Sequence, residues 1–291
     1  MRTNRELKAR IASTKNIQQI TTAMKMVAAA RLKKAQARLE SARPYARKMA
    51  EVTLDLAALT PWSFNPLLRK HHYNLKDLII VFTGDRGLSG DFHYEIADRA
   101  VEFGLKLSAK SKVSYYVIGL KGQRRFLEKQ VPIFKSFEGP VAGVSFETAR
   151  NLSKEIIVWY TEEQFDRIYL FYSKFYSALS QKPRSFQLLP IDPAQAKVKE
   201  ESGLFIFEPT RKKVLDSILP RYLESEIFRA FLETEAGELG ARMAAMSAAS
   251  DNAAEIIAEY QLEFNRIRQT QITNEIAEIV GGAEVLNKES K

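Results

Sequence analysis

The apolar positions near the start of the chain recur at spacings of three and four residues, in a narrow stripe. Such a stripe is typical of a helix that pairs with one partner helix, since a helix packed on a domain core needs a broader apolar face. The chain has no glycine before Gly84, and Pro44 is its first proline. The pattern predicts an N-terminal coiled-coil helix over residues 1–58, with Pro44 as the place where it can kink. The predicted seam consists of Ile17, Ile20, Met24 and Val27.

The end of the chain carries a longer seam of the same kind. No proline follows Pro220. A periodic pattern much longer than 25 residues is typical of a coiled coil, so we predict a C-terminal coiled-coil helix over residues 212–286. We expect this helix to pair with residues 1–58; the alternative is that each helix packs separately on a domain. The predicted seam consists of Leu239, Met243, Met246, Ser250, Ala253, Ile257, Tyr260, Phe264 and Ile267.

Between these helices, residues 75–209 show short apolar runs that alternate with helical patterns. Strands that alternate with helices form parallel sheets, and consecutive strands pair antiparallel, so we expect a mostly parallel sheet with an antiparallel edge. The predicted fold class is α/β: a coiled coil of long terminal helices with an inserted Rossmann-like domain. The strands are predicted at 78–84, 113–119, 132–137, 167–175, 184–191 and 203–209, and the helices at 91–109, 122–130 and 147–164.

The net charge of +9 is unevenly distributed along the chain. Residues 1–50 hold 13 Lys and Arg against 2 acidic residues, whereas residues 221–291 hold 7 against 13. The two ends can therefore attract each other, or each can bind its own partner. Residues 1–44 contain no aromatic residue that could stack on bases, so an acidic protein surface is favoured over nucleic acid as a partner.

Candidate catalytic and ligand-binding residues are few. The absence of cysteine excludes disulfides and thiolate chemistry. The loop "GDRGLSGD" over 84–91 follows a strand and opens a helix, but its glycine spacing differs from G-x-G-x-x-G, and the chain has no G-x-x-x-x-G-K-[ST]. A structural turn is therefore favoured over a nucleotide site. His71, His72 and His93 do not form a metal-ligand pattern, and Ser89 has no evident base. We expect no catalytic residue, cofactor or metal.

Membrane and targeting segments are also not predicted. No apolar run approaches the ~18 residues of a membrane span. The first residues lack the apolar core of a secretion signal, and we interpret residues 1–50 as a structured helix rather than a mitochondrial presequence.

Two long strings resemble the ends of the γ subunit of F-type ATP synthases: "KNIQQITTAMKMVAAARLKKAQ" and "ARMAAMSAASDNAAEIIAEYQLEFNRIRQTQITNEIAEIVGGAEVL". The middle of the chain resembles that family in outline, through "DRGLSG" after the first strand. The family more usually has Ser, Cys and Asn where this chain has Gly84, Ser89 and His93. These departures leave the role of the loop open.

The resemblance implies a rotor shaft. In that family the terminal helices form an antiparallel coiled coil inside a ring of three α and three β subunits, which carry the nucleotide sites. The α/β domain lies at the foot, against the ε subunit and the c ring of the membrane sector. Rotation of the c ring, driven by protons, turns the shaft and drives ATP synthesis; hydrolysis reverses the cycle. The implied location is peripheral, on the cytoplasmic face of a bacterial plasma membrane.

The resemblance also implies contacts for single residues. Met24 and Lys25 would lie near the lever loops of the β subunits, with Arg242 across the coil. Arg268 and Gln269 would meet a catch loop of a β subunit. An apolar tip held by the collar of subunits would consist of Ile272, Ile276, Ile279 and Val280.

The charges suggest a register for the antiparallel coil. If Arg31, Lys33, Lys34 and Arg38 are neutralised by Glu233, Glu235 and Glu238, paired residue numbers sum to roughly 270. Met24 then lies opposite Met246, Ile17 beside Ala253, and Leu7 opposite Phe264. The partner helix ends near residue 267, so Arg268–Leu286 is expected to project as a single helix.

Two functions from other classes stay open at this point. One is a dinucleotide-dependent enzyme built on the central domain, and the other is a basic nucleic-acid-binding protein. Cofactor binding would favour the first, and salt-dependent DNA retention would favour the second.

Overall fold

The computed structural model describes residues 4–70, 75–137, 139, 141–192, 208 and 210–289. The predicted strand at 203–209 and the pair His71–His72 therefore lie outside the described residues. Two short 3-10 helices, Trp62–Phe64 and Pro66–Leu68, follow the first long helix. The remaining elements are α1 (Asn4–Ala58), β1 (Lys76–Phe82), α2 (Phe92–Ser108), β2 (Lys112–Ile118), α3 (Leu120–Glu128), β3 (Lys135–Ser136), α4 (Phe146–Thr161), β4 (Arg167–Ser177), β5 (Ser180–Leu189) and α5 (Arg211–Glu289).

Both long helices continue through a proline, Pro44 in α1 and Pro220 in α5. The helix α1 ends at Ala58, as the sequence predicts, and α5 runs slightly past the predicted end to Glu289. The described residues form two compact units: those of Met1–Val27 with Ala245–Lys291, and those of Ala28–Ala244. The predicted domain boundaries at 58, 75, 209 and 212 stay a prediction, because these units describe packing within the folded chain.

The second unit is built on a five-stranded sheet with the order β3-β2-β1-β4-β5. Strands β1, β2, β3 and β4 pair in parallel, and β5 pairs antiparallel with β4 at the edge. This confirms the predicted topology, although β3 is shorter than expected at two residues.

Alternate residues of β1 supply two cores, because successive side chains of a strand point to opposite faces. Leu78, Ile80 and Phe82 pack with α4, the end of α1 and the first part of α5. Ile79 and Val81 pack with α2 and α3 on the other face. Since every residue from Asp77 to Phe82 is buried, β1 reads as one continuous apolar run, as expected of a central parallel strand.

The first unit is an antiparallel pair of helices. The hydroxyl oxygens of Thr22 and Ser250 lie 2.9 Å apart, and the Lys25 Nζ donates to the Ser247 hydroxyl at 2.9 Å. The numbers of each pair sum to 272, so the helices are antiparallel and the predicted register of about 270 is correct to within two residues.

The predicted seam of α5 is confirmed within the first unit. Met246, Ala253 and Ile257 are buried. Half-buried side chains occupy the intervening seam positions, namely Ser250, Tyr260, Phe264 and Ile267.

The predicted seam of α1 is wrong. Ile17, Ile20 and Val27 are 51%, 59% and 52% exposed, so Ile17 does not lie in the seam beside Ala253. Met24 is half-buried. The observed inward positions are Leu7, Ile11, Thr14, Gln18 and Thr21, of which several are polar.

The polar seam of α1 has a local explanation. The Thr21 hydroxyl donates to the backbone carbonyls of Ile17 and Gln18, at 3.0 Å each, so burial leaves it satisfied. A short side chain whose hydroxyl is hydrogen-bonded can lie between two helices as well as an isoleucine can. A search for bulky apolar residues alone therefore selects the wrong face of α1.

The predicted charge pairing is partly confirmed within the second unit. Arg38 forms an ion pair with Glu235 at 3.2 Å. However, Glu233 and Glu238 pair with arginines of their own helix, Arg229 and Arg242. Within the described part of the chain, Arg31, Lys33 and Lys34 are exposed and make no ion pair.

Candidate partner-binding surfaces

The exposed end of α5 carries most of the predicted contact residues. Every side chain from 268 to 281 is exposed, including Arg268 and Gln269. The side-chain amide of Asn4, where the described part of α1 begins, donates to the side chain of Gln271. This bond shows that the pairing of the two helices reaches Gln271, so the single projecting helix begins later than the predicted Arg268.

An apolar stripe runs along this exposed end. Ile272, Ile276, Ile279 and Val280 are 43%, 56%, 71% and 59% exposed. Spacings of three and four residues place these side chains on one helix face. An exposed apolar face of this kind marks a surface that another molecule covers.

The coil of the first unit has a second exposed apolar surface, which the sequence analysis missed. Ile17, Ile20 and Val27 lie on one outward face of α1. Met26 is 66% exposed but lies about 100° around the helix from Val27. A sequence search that allows threonine and glutamine in a helix seam could have found this surface. Such a search identifies the true seam by its regular spacing, at Leu7, Ile11, Thr14, Gln18 and Thr21.

Lys25 is exposed, and Met24 is half-buried. The bond from the Lys25 Nζ to Ser247 crosses the coil, but the side chain stays exposed. Both residues are therefore accessible, and their predicted contact with lever loops stays a prediction.

Arg242 occupies a different environment, in the second unit. Its side chain is 11% exposed and pairs with Glu238. The Nε atom donates to the backbone carbonyl of Gly87 at 3.1 Å. The structure thus anchors Arg242 to the loop over 84–91, and a partner contact of this residue stays a prediction.

Asp85 ties the loop over 84–91 to neighbouring elements, whereas the buried hydroxyl of Ser89 has no hydrogen-bond partner among the described residues. The Asp85 carboxylate accepts from the backbone N–H of Leu120 at 3.1 Å and of Val141 at 3.0 Å. Backbone donors at the start of a helix such as α3 are where a phosphate would bind. Because a carboxylate already takes these donors, the loop has the geometry of a structural turn.

The His93 ring forms hydrogen bonds with the backbone of the same loop. The backbone N–H of Gly84 donates to Nδ1 at 3.2 Å, and the backbone carbonyl of Arg86 lies 3.0 Å from Nε2. This pairing requires a neutral ring with its proton on Nε2. Burial lowers the pKa of His93 to about 4, so the ring is neutral at physiological pH. Burial also raises the pKa of the neighbouring Glu238, against the effect of Arg242.

Within the described ranges, no three His, Asp or Glu side chains are grouped closely enough to hold a metal ion. None of the described helices combines the length and apolar character that a membrane span requires.

An antiparallel pair of long helices, an exposed apolar helix end and a five-stranded α/β unit define a coiled-coil scaffold subunit. The sequence profile of the ATP synthase family matches residues 3–286. ATP synthase gamma chains of Geobacter metallireducens and Moorella thermoacetica are 41% and 42% identical, over 96% and 97% of this chain and 97% and 98% of theirs. The chain belongs to the ATP synthase family, among the gamma chains.

Solved structures show the same fold. A chain from the central stalk and c ring of the Tetrahymena thermophila mitochondrial ATP synthase is similar with a TM-score of 0.60 and 26% identity, covering 79% of this chain and 99% of that one. A chain from the Euglena gracilis mitochondrial ATP synthase has a TM-score of 0.68 at 18% identity, covering 99% and 96%, and supports the likeness in fold.

Proposed function

We propose that this chain is the central rotor shaft of an F-type ATP synthase. It couples rotation of the membrane c ring to ATP synthesis on the α and β subunits, and transmits the reverse motion during hydrolysis. The observation that carries the proposal is the exposed apolar face of α5 at Ile272, Ile276 and Ile279, on a helix that projects beyond an antiparallel coil.

The coil of the first unit has the properties of a shaft. Residues 4–27 of α1 and 245–280 of α5 contain no glycine or proline, so the helices lack the residues that most often bend them. The outward face of α1 combines apolar side chains with lysines, which suits contact with the acidic lever loops of the β subunits. Met24 and Lys25 are the proposed contacts there.

The tip of the shaft is proposed to turn within a collar of α and β subunits. Ile272, Ile276 and Ile279 supply the apolar surface for this contact, while Arg268 and Gln269 bind the catch loop of a β subunit. The α/β domain lies at the foot, against the ε subunit and the c ring. The proposed location is peripheral, on the cytoplasmic face of a bacterial plasma membrane.

The chain itself is proposed to be non-catalytic. Support comes from the loop over 84–91, where Asp85 and His93 accept hydrogen bonds from backbone N–H groups that a bound phosphate would need. Nucleotide chemistry then takes place on the partner subunits.

Measurement of ATP hydrolysis tests this proposal. The purified chain should show no turnover, and activity should appear when the chain is combined with α and β subunits. Turnover by the chain alone that persists after repeated purification would contradict the non-catalytic role. Activity of the α and β subunits that does not respond to the chain would contradict the coupling role.

A further inference from the structure

A basic pocket of the second unit contains none of the residues that we propose as contacts of the shaft. It has a volume of about 910 Å³ and lies between α1, the β4–β5 hairpin and α5. Two carboxylates, Glu51 and Glu233, line it. Six cations line it as well: Arg43, Arg47, Lys48, Lys174, Arg184 and Arg229.

Among the described residues, two of these cations form an ion pair with a carboxylate. Lys48 pairs with Glu51 at 3.2 Å. Arg229 lies 2.5 Å from Glu226 and 3.9 Å from Glu233. These pairs use the carboxylates that face the pocket.

The other four cations have no ion-pair partner within the part of the chain that the structure describes. They come from three elements: Arg43 and Arg47 from α1, Lys174 from β4 and Arg184 from β5. Positive side chains that line one pocket repel each other, and a bound anion offsets this electrostatic repulsion. The pocket therefore holds more positive than negative charge, with six cations against two carboxylates in its lining.

The buried acids beneath the pocket reduce this charge only in part. Glu226 and Glu233 are 2% and 5% exposed, and burial raises the pKa of both, which favours their uncharged forms. The positive charges of Lys174 and Arg43 oppose the rise in the pKa of Glu233. The backbone N–H of Phe175 is already donated to Glu233 at 3.2 Å. The cations that stay available are the exposed arginines and Lys174.

The chemistry of the lining selects the kind of anion. Arginine presents a planar fork of donors that matches phosphate oxygens, and lysine adds a point charge. Lys174 is held with its Nζ 5.1 Å from the ring centre of Tyr176. A concave volume of this size suits a compact ligand rather than a flat protein or nucleic-acid surface.

We infer that this pocket binds a small phosphate-bearing anion through Arg43, Arg47, Lys174 and Arg184. The same phosphate chemistry can come from a free inorganic anion or from an anionic lipid headgroup. Either source makes several charge-assisted bonds to the exposed cations, so binding should weaken as salt is raised.

Calorimetric titration of the purified full chain with inorganic tripolyphosphate tests the inference. We expect saturable binding at one site per chain. The double variant Arg47→Gln/Arg184→Gln should bind about tenfold more weakly or worse, because charge-assisted hydrogen bonds are lost. The matched control, Arg99→Gln/Arg124→Gln, removes the same charge from α2 and α3 outside the pocket and should keep the wild-type affinity.

Sedimentation with phosphatidylglycerol vesicles separates the two sources. Vesicle binding that is lost in the pocket variant and retained in the control would support the pocket and assign it to a lipid headgroup. Tripolyphosphate binding without vesicle binding would support the pocket and assign it to a free anion. No binding of either probe, or equal loss in the control, would overturn the inference and favour an acidic segment of a partner protein as the occupant.

Discussion

At the scale of single residues, Gly84 and His93 form a steric pair. A Cβ atom at position 84 would lie 2.8 Å from the His93 Cε1 and would overlap the carboxylate of Glu238. Because Arg242 holds that carboxylate, it cannot move freely aside. A side chain at position 84 would therefore meet both Glu238 and His93, and glycine is the residue that fits there.

The substitution Gly84→Ser tests this dependence. We expect it to destabilise the chain by about 1–3 kcal/mol, as overpacking of a filled site does. Adding His93→Asn should restore part of that loss, and urea denaturation of the four forms measures the coupling. As a control, Gly87→Ser should cost less, because its Cβ would meet only the mobile end of Lys121, at 3.3 Å. Strict additivity of the two substitutions would show that the residues are independent.

The low pKa of His93 predicts a dependence of stability on pH. Its folded pKa of about 4 lies below the ~6.5 of an unfolded histidine, so the unfolded chain binds more protons between these values. This contribution is fully present above pH 6.5 and is lost as the pH falls toward 4. It should amount to a loss of about 2 kcal/mol from pH 7 to pH 5.

Comparison with His93→Asn isolates that contribution. The raised pKa of Glu238 acts in the opposite direction over the same range, so wild-type stability alone is not decisive. The free energy of unfolding at pH 7 and pH 5 should fall more in the wild type than in His93→Asn. Identical changes in both would contradict the assigned tautomer and pKa.

At the scale of elements, the register of the coil can be trapped by a disulfide. Thr22→Cys with Ser250→Cys should oxidise readily, because the two hydroxyl oxygens lie 2.9 Å apart and the chain has no other cysteine. Non-reducing electrophoresis of the full chain reads out the bond. The pair Thr22→Cys with Ala258→Cys, two turns further along α5, is the control and should stay reduced. Efficient oxidation of the control pair would show that the register is wrong.

The sequence predicted where the helices and strands lie better than it predicted which side of each helix is buried. The positions of the strands and the span of both long helices followed from apolar runs such as Leu78–Phe82 and from the long seam of α5, whereas the order of the strands in the sheet was not predicted. The seam of α1 could not be predicted in this way, because Thr21 satisfies its hydroxyl on its own helix and so can be buried. Arg242 was predicted at a partner surface, and its contact with Gly87 depends on a fold that brings the loop and α5 together.

At the scale of the whole molecule, the account predicts that the exposed end of α5 transmits torque. Arg268→Ala should reduce ATP-driven proton pumping in reconstituted membranes by roughly fivefold, since a guanidinium makes several charge-assisted bonds to a partner. Lys288→Ala removes the same charge beyond Gly281 and Gly282 and serves as the control. Equal effects of the two substitutions would count against a specific contact at Arg268.

The central claim is that one copy of this chain stands inside a ring of α and β subunits. Native mass spectrometry of the complex purified after co-expression with those subunits measures this most directly. The account predicts a single copy of the chain with three α and three β subunits. A ring that purifies without the chain, or with more than one copy, would contradict the account.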